Sequence, residues 1–176
     1  MGPFFSSIVE FEEMIKITID IKPYQVSIVP EKRQEITTEG GLNVLEQEDH
    51  LINVGHRVKE KGILYSLFID PDPFQVEASK RVKADSIELN TGPYSESSNI
   101  KEKKQHIDLL EKAAIQAHEC GLKVFAGHGL TKDNISAIVR NVPWVEEFNI
   151  GHHIISHSIY VGMEQSVKDM INSIKK

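Results

Sequence analysis

The chain has 176 residues, 40% of them hydrophobic, which suffices for one ordinary core and is compatible with a single domain. A net charge of −6 supplies no general basic field, so nucleic acid is not an expected partner and any anion binding must be local. The lone cysteine, Cys120, excludes an internal disulfide and a multi-thiolate metal site, and no apolar run approaches the roughly 20 residues of a membrane span. At the start of the chain, Met1 to Val9 lacks the basic opening and cleavage pattern of a signal peptide, and the expectation is a soluble cytoplasmic protein.

The first element is ambiguous by period. Ile15, Ile17, Ile19 and Ile21 alternate with Lys16, Thr18 and Asp20 as in a half-exposed strand, whereas the Glu12-Glu13-Met14 start and the Pro23 stop suit a helix, which is the expectation. Tyr24 to Val29 reads as a strand. Asp49 to Lys61 then reads as a helix, with Leu51, Ile52, Val54 and Val58 largely on one side and Gly62 as its stop. Ile63 to Ile69 and Ser86 to Leu89 are short apolar runs, as expected for parallel strands covered on both faces. Ile107 to Cys120 turns Leu110, Ala113, Ala114 and Ala117 inward ahead of Gly121, and Leu122 to Phe125 follows as a strand. Thr131 is the expected N-cap of a helix through Val139. Val145 to Ile150 is the fifth strand-like run, and Ile159, Met163, Val167, Met170 and Ile174 mark one last amphipathic helix.

Strand and helix alternate, which implies an α/β fold with a parallel sheet and right-handed crossovers. Open sheet or closed barrel stays undecided on the residues. Five strands cannot complete an eight-stranded barrel of about 250 residues, so the count favours an open sheet unless a piece is absent.

Two strand-to-helix turns carry the candidate chemistry. Ala126-Gly127-His128-Gly129-Leu130-Thr131 follows one strand and Asn149-Ile150-Gly151-His152 another, the location where α/β barrels keep their active sites. Glycine admits close approach to a ligand, the next helix N-terminus offers unpaired N–H groups to an anion, and histidine moves protons near neutral pH. The pair reads as a phosphate cradle with an acid/base beside it. Glu88 stands inside an otherwise apolar strand, where a carboxylate is expensive unless paired, so it faces a lumen, sits in an ion pair, or lies on a strand near enough to an edge to be solvated. His153 and His157 read as helix-surface or packing residues. The histidine cluster lacks Asp or Cys ligands at suitable spacing, and no metal is assigned.

Several motifs, in order, are similar to those of the pyridoxine 5′-phosphate synthase family of vitamin B6 biosynthesis. They are Val29-Pro30-Glu31-Lys32-Arg33-Gln34-Glu35, Thr37-Thr38-Glu39-Gly40-Gly41-Leu42, Ser66-Leu67-Phe68-Ile69-Asp70, Ile87-Glu88-Leu89-Asn90-Thr91-Gly92, Gly121-Leu122-Lys123-Val124, and the two turns above, the second with Phe148 before it. The likeness runs from about Glu12 to the C-terminus. It implies a (β/α)8 TIM barrel that condenses 1-deoxy-D-xylulose 5-phosphate with 3-amino-2-oxopropyl phosphate, releasing inorganic phosphate and water, with no cofactor and no metal. By position, His128 resembles the family's late proton donor and Glu88 its transition-state-stabilising glutamate. Thr37 resembles the residue that contacts the deoxyxylulose phosphate, on a loop with Gly40-Gly41 as hinges. Gly129, Gly151 and His152 resemble substrate-contacting positions, and Glu31, Lys32 and Arg33 either join the site or form a solvated charge cluster. The family also implies a homo-oligomer.

The departures are specific. The family's first-strand Asn-x-Asp-His element and second-strand His-x-Arg element do not occur in this sequence, and the glutamate expected on the third strand falls at Ser7. Residues 1–11 therefore read as an atypical segment before a single partial-barrel domain over 12–176 covering about five βα units. Such a chain is expected to expose the edge of its first strand. On its own it is expected to be inactive, half of the proton-transfer set being absent. The alternative is a relic of the family that binds phosphate or pyridoxine phosphate without catalysis.

Overall fold

The computed structural model describes residues 4–30 and 40–175, with side chains from residue 12. Its elements run α1 (Phe4–Ile21), β1 (Gln25–Ile28), α2 (Glu48–Lys59), β2 (Leu64–Ile69), α3 (Pro73–Arg81), β3 (Ser86–Asn90), α4 (Gly92–Glu96), α5 (Ile100–Glu119), β4 (Lys123–Gly127), α6 (Ile135–Asn141), β5 (Val145–Asn149), α7 (His152–Val161) and α8 (Met163–Ile174). The strands form one parallel sheet in the order β1-β2-β3-β4-β5. Chain order and sheet order coincide, so there is no reversal of direction across the sheet. With right-handed crossovers throughout, the connecting helices fall on one face.

Register separates the two faces. Ile28, Leu67, Ile87 and Val124 lie side by side, and two residues on so do Ile69, Leu89 and Ala126, all buried beneath the helices. The helix α2 approaches this face closely: a Cβ on Gly55 would lie 2.8 Å from the Tyr65 ring, and the Tyr65 hydroxyl donates to the Leu51 carbonyl at 3.1 Å. From the other side of the sheet cross Ser66 with Ser86, Phe68 with Glu88 and Phe125, and Asn90 with Gly127 and Asn149. A face carrying serine, glutamate and asparagine is not built to receive a helix.

One irregularity sets the polar face of β5. Val124 pairs with Val145 but Phe125 pairs with Glu147, so Glu146 is an extra residue in β5. The bulge brings Glu147 and Asn149 onto the row of Glu88 and Gly127. Without it both side chains would point toward the helices.

Residues 15–21 are helical, as expected; the buried Ile15 and the Glu12 carboxylate, 2.8 Å from Arg57, dock α1 on α2. The helix crosses residue 11 without a break. Three expectations are corrected. The helix expected from Ile107 begins at Ile100, because Asn99 caps it by accepting the Lys101 N–H at 2.8 Å; its first turns are too polar to show an apolar period. Thr131 is not an N-cap: α6 starts at Ile135, after a turn in which the Asn134 side chain accepts the Thr131 N–H at 2.7 Å. The single last helix is two, parted at Gly162, whose φ of 84° ends α7 and redirects the chain into α8.

Candidate active site

Four strand ends meet at the C-terminal edge of the sheet. Immediately past β4 the backbone turns through two left-handed residues, His128 at φ 81° and Gly129 at φ 73°. For histidine this conformation is uncommon and must be held by its surroundings. The buried Thr91 does part of this: its amide donates to the Gly127 carbonyl at 2.8 Å, and its hydroxyl lies 2.8 Å from that oxygen and 2.6 Å from the His128 carbonyl. Asn134 closes the turn from the far side by donating to the Gly129 carbonyl at 3.2 Å. Short helix α4 packs against it so closely that a Cβ on Gly92 would lie 2.6 Å from the His128 ring, and one on Gly129 2.7 Å from Ser95.

Past β5, Gly151 caps α7 without a side-chain hydrogen bond, so the first N–H groups of the helix remain available to an anion. His128, Gly129, Thr131, Asn149, Gly151 and His152 line one cavity of about 660 Å³. An imidazole, glycine amides and a helix N-terminus thus surround a single space, a combination that can hold a phosphate ester while a proton moves. His153 also lines it; burial, reinforced by neighbouring His157, holds its imidazole below the ordinary 6.5. His157 is tied away by the Asp169 carboxylate at 3.0 Å, which pins α7 to α8.

Glu88 is not on the cavity wall. Its half-buried carboxylate lies across β4 and accepts the Asn149 side-chain N–H at 2.7 Å, and Asn149 does line the cavity. The crossing is possible only because position 127 has no side chain: a Cβ there would stand 2.2 Å from the Glu88 Oε1. Burial raises the Glu88 pKa above its ordinary 4.5 and nearby Glu147 adds to the rise, while the Asn149 hydrogen bond opposes it. A carboxyl shifted upward in this way keeps its proton to a higher pH than an ordinary carboxylate does.

Of the residues singled out in the sequence, His128, Gly129, Gly151 and His152 are brought together, and Glu88 joins them through Asn149. Thr37, with Glu31, Lys32 and Arg33, lies outside the described residues. Among the described residues no group of three or more His, Cys, Asp or Glu could hold a metal ion. Sequence reasoning missed Asp70, Asn90, Thr91, Asn134 and the role of Asn149 as the link to Glu88. Their shared signal was position, since Asp70, Asn90 and Asn149 each stand at or just past the C-terminal end of a strand.

Among known proteins, the chain resembles in structure the YdjI aldolase from Escherichia coli K12, with a TM-score of 0.59 and 11% identity over 93% of this chain and 62% of that one. A xylose isomerase domain protein from Planctomyces limnophilus gives a TM-score of 0.55 at 13% identity, covering 91% and 66%. At such identities the likeness concerns the fold alone, an α/β fold of the TIM-barrel-like kind. In sequence the chain is 48% identical to pyridoxine 5′-phosphate synthase of Synechococcus sp. (strain JA-2-3B'a(2-13)), over 90% of this chain and 66% of that protein. It is 45% identical to the protein of the same name from Aquifex aeolicus (strain VF5), over 93% and 69%. The chain therefore spans about two thirds of the length of the curated relatives it matches. The family model described as pyridoxal phosphate biosynthesis protein PdxJ matches residues 7–176, and the chain belongs to that family.

Proposed function

We propose that the chain forms the phosphate-binding and late proton-transfer part of a pyridoxine 5′-phosphate synthase, condensing 1-deoxy-D-xylulose 5-phosphate with 3-amino-2-oxopropyl phosphate and releasing inorganic phosphate and water. The observation that carries this reading is the convergence of His128 and Gly129 with Gly151 and His152 on one cavity at the sheet's C-terminal edge. The Gly129 and α7 amides, with His152, grip the phosphate of one substrate. His128, reachable at the cavity wall, delivers a proton late in ring closure, and Glu88, carrying a raised pKa, stabilises charge that develops across Asn149. Thr37 contacts the phosphate of the deoxyxylulose substrate. Imine formation, dehydration and ring closure are proton transfers and carbon–nitrogen or carbon–carbon bond steps, so the reaction needs neither metal nor redox cofactor.

The strand order supports a (β/α)8 barrel of which this chain supplies five units. A sheet with unreversed order, helices to one side and a polar opposite face is what a barrel wall looks like when viewed alone. In this reading the edge of β1 and the apolar residues exposed on α1 and α7 are covered by further strands or by a second copy of the chain, in a cytoplasmic homo-oligomer.

The test is product formation from the two substrates by the chain completed with the first three strands of a relative. Turnover is expected, and His128→Ala and Glu88→Gln are each expected to lower it by about 10²- to 10⁴-fold. Alone, the 176-residue polypeptide is expected to bind inorganic phosphate without forming product. A completed protein that binds phosphate but forms no product would replace the synthase reading with that of a binding protein. Variants with undiminished turnover would remove the two residues from the reaction.

A further inference from the structure

The Asp70 carboxylate stands one residue past β2, and a single oxygen of it, Oδ1, accepts two hydrogen bonds from elsewhere: the Gly41 amide at 3.0 Å and the Asn90 side-chain amide at 2.8 Å. Asn90, the last residue of β3 and 1% exposed, uses its other atom to accept the Gly92 amide at 2.9 Å. Gly92 is the residue whose backbone lies against the His128 ring. Gly41 is held just as tightly, since a Cβ on it would lie 2.1 Å from the Asp70 amide nitrogen. Two side chains thus connect the segment after β1, the end of β2, the end of β3 and the turn after β4.

We propose that Asp70 and Asn90 are a positioning pair that fixes the His128 imidazole toward the cavity by locking the Gly92 backbone behind it, and registers the segment at Gly41 to the same carboxylate. Neither residue touches the cavity space, and both act through His128. The charge on Asp70 matters less than the acceptor geometry of its Oδ1, because both of its partners are neutral N–H donors. Asn90 cannot be replaced by aspartate at equal function. Its amide N–H would become an oxygen facing the Asp70 carboxylate, while the bond to Gly92 would survive. The value of the pair to the reaction rests on the proposed role of His128, but its geometry does not.

The experiment follows the imidazole resonances of His128 by NMR in the purified protein, assigned with a His128→Asn variant, without and then with inorganic phosphate. Asp70→Ala and Asn90→Asp are each expected to displace the His128 signal in phosphate-free buffer and to weaken phosphate binding about tenfold. The conservative Asp70→Asn retains the Oδ1 acceptor and is expected to leave both readouts within about twofold of the wild type. The double variant Asp70→Ala/Asn90→Asp is expected to cost no more than the worse single one, because the residues work as one unit. A core truncation remote from the site, Val58→Ala, serves as a control for stability and is expected to lower Tm without moving the His128 signal. An unmoved signal in Asp70→Ala and Asn90→Asp, additive effects, or damage from Asp70→Asn equal to that from Asp70→Ala would overturn the pair. If the wild-type His128 signal ignores phosphate, the site reading fails, while the phosphate-free spectra still decide the pair.

Discussion

The strand ends of β2, β3 and β4, of which the turn after β4 reaches the cavity, and the end of β5 with α7, backed by α8, are constructed in opposite ways. In the first region side chains are used up on backbone: Asp70, Asn90, Thr91 and Asn134 all spend their polar atoms on loop groups, and four glycines admit contacts that no Cβ would allow. In the second, α7 has no buried residue and shows Ile155, Ile159 and Tyr160 to the outside at 56%, 80% and 87% exposure. The first region is preorganised by the chain's own hydrogen bonds. The second takes its order from a regular helix and two ties to α8, through His157 to Asp169 and through Ser166 to the Ile154 carbonyl. Precision here comes from saturating loop backbone in one place and from helix geometry in the other.

Substitutions can break this contrast, beginning on the saturated side. Gly41→Ala should have the largest effect, because the new Cβ would meet the Asp70 nitrogen at 2.1 Å and the Ile69 carbonyl carbon at 2.5 Å, backbone that cannot swing aside. A loss of about 3 kcal/mol in chemical denaturation is expected; a loss no larger than that of an exposed substitution would show that the landing at Gly41 is loose. Gly127→Ala should cost less, about 1–2 kcal/mol, since the atom it strikes hardest is the end of the Glu88 side chain, which can rotate away, and the Asn149 carbonyl oxygen at 3.0 Å is met less closely. The telling result is functional: the displaced Glu88 should lose Asn149, so activity should fall further than stability. Equal activity would mean that the crossing of β4 by Glu88 is incidental.

On the other side, Ser166→Ala leaves the Ile154 carbonyl without its 2.7 Å hydrogen bond in a buried spot, and about 1 kcal/mol is expected from thermal melts. A larger loss accompanied by weaker phosphate binding would show that α7 depends on α8 for its alignment more than its regular geometry suggests. The smallest effect sharpens the comparison through pH. The Glu88 carboxyl is raised above 4.5 in the folded state, so folding favours its protonated form; the resulting stability is present below the ordinary value and is lost as pH rises through the folded one. Glu88→Gln removes that decline, so its Tm should gain on the wild type as pH rises above the ordinary carboxylate value. Parallel melting curves would show that Glu88 is solvated.

Much of the framework could be read in the residues because it depends on local pattern. All five strands and the stops at Gly62 and Gly121 stand where apolar period and punctuation put them, and the helix over residues 15–21 follows its start and stop signals against an alternating apolar period. The errors fall where a polar side chain acts over a distance. Thr131 has the chemistry of a cap, but Asn134 turns back to bind it, and only the fold brings Asn134, Ser95 and Gly129 together. The break at Gly162 was hidden because the apolar period runs through it. For the site, the histidine and glycine positions were visible as motifs with a chemical reading, whereas Asp70 and Asn90 stood inside motifs without a role of their own. Their meaning lies in a hydrogen bond between residues 20 positions apart, which no window of sequence displays.

The twist of the chain at His128 has one more consequence. At a φ of 81° the backbone prefers a residue without a side chain, yet the chemistry assigned to this turn resides in a side chain. The position therefore sets endurance against usefulness: glycine would relax the turn and silence it. A His128→Gly variant is therefore expected to be at least as stable as the wild type while losing whatever the imidazole contributes.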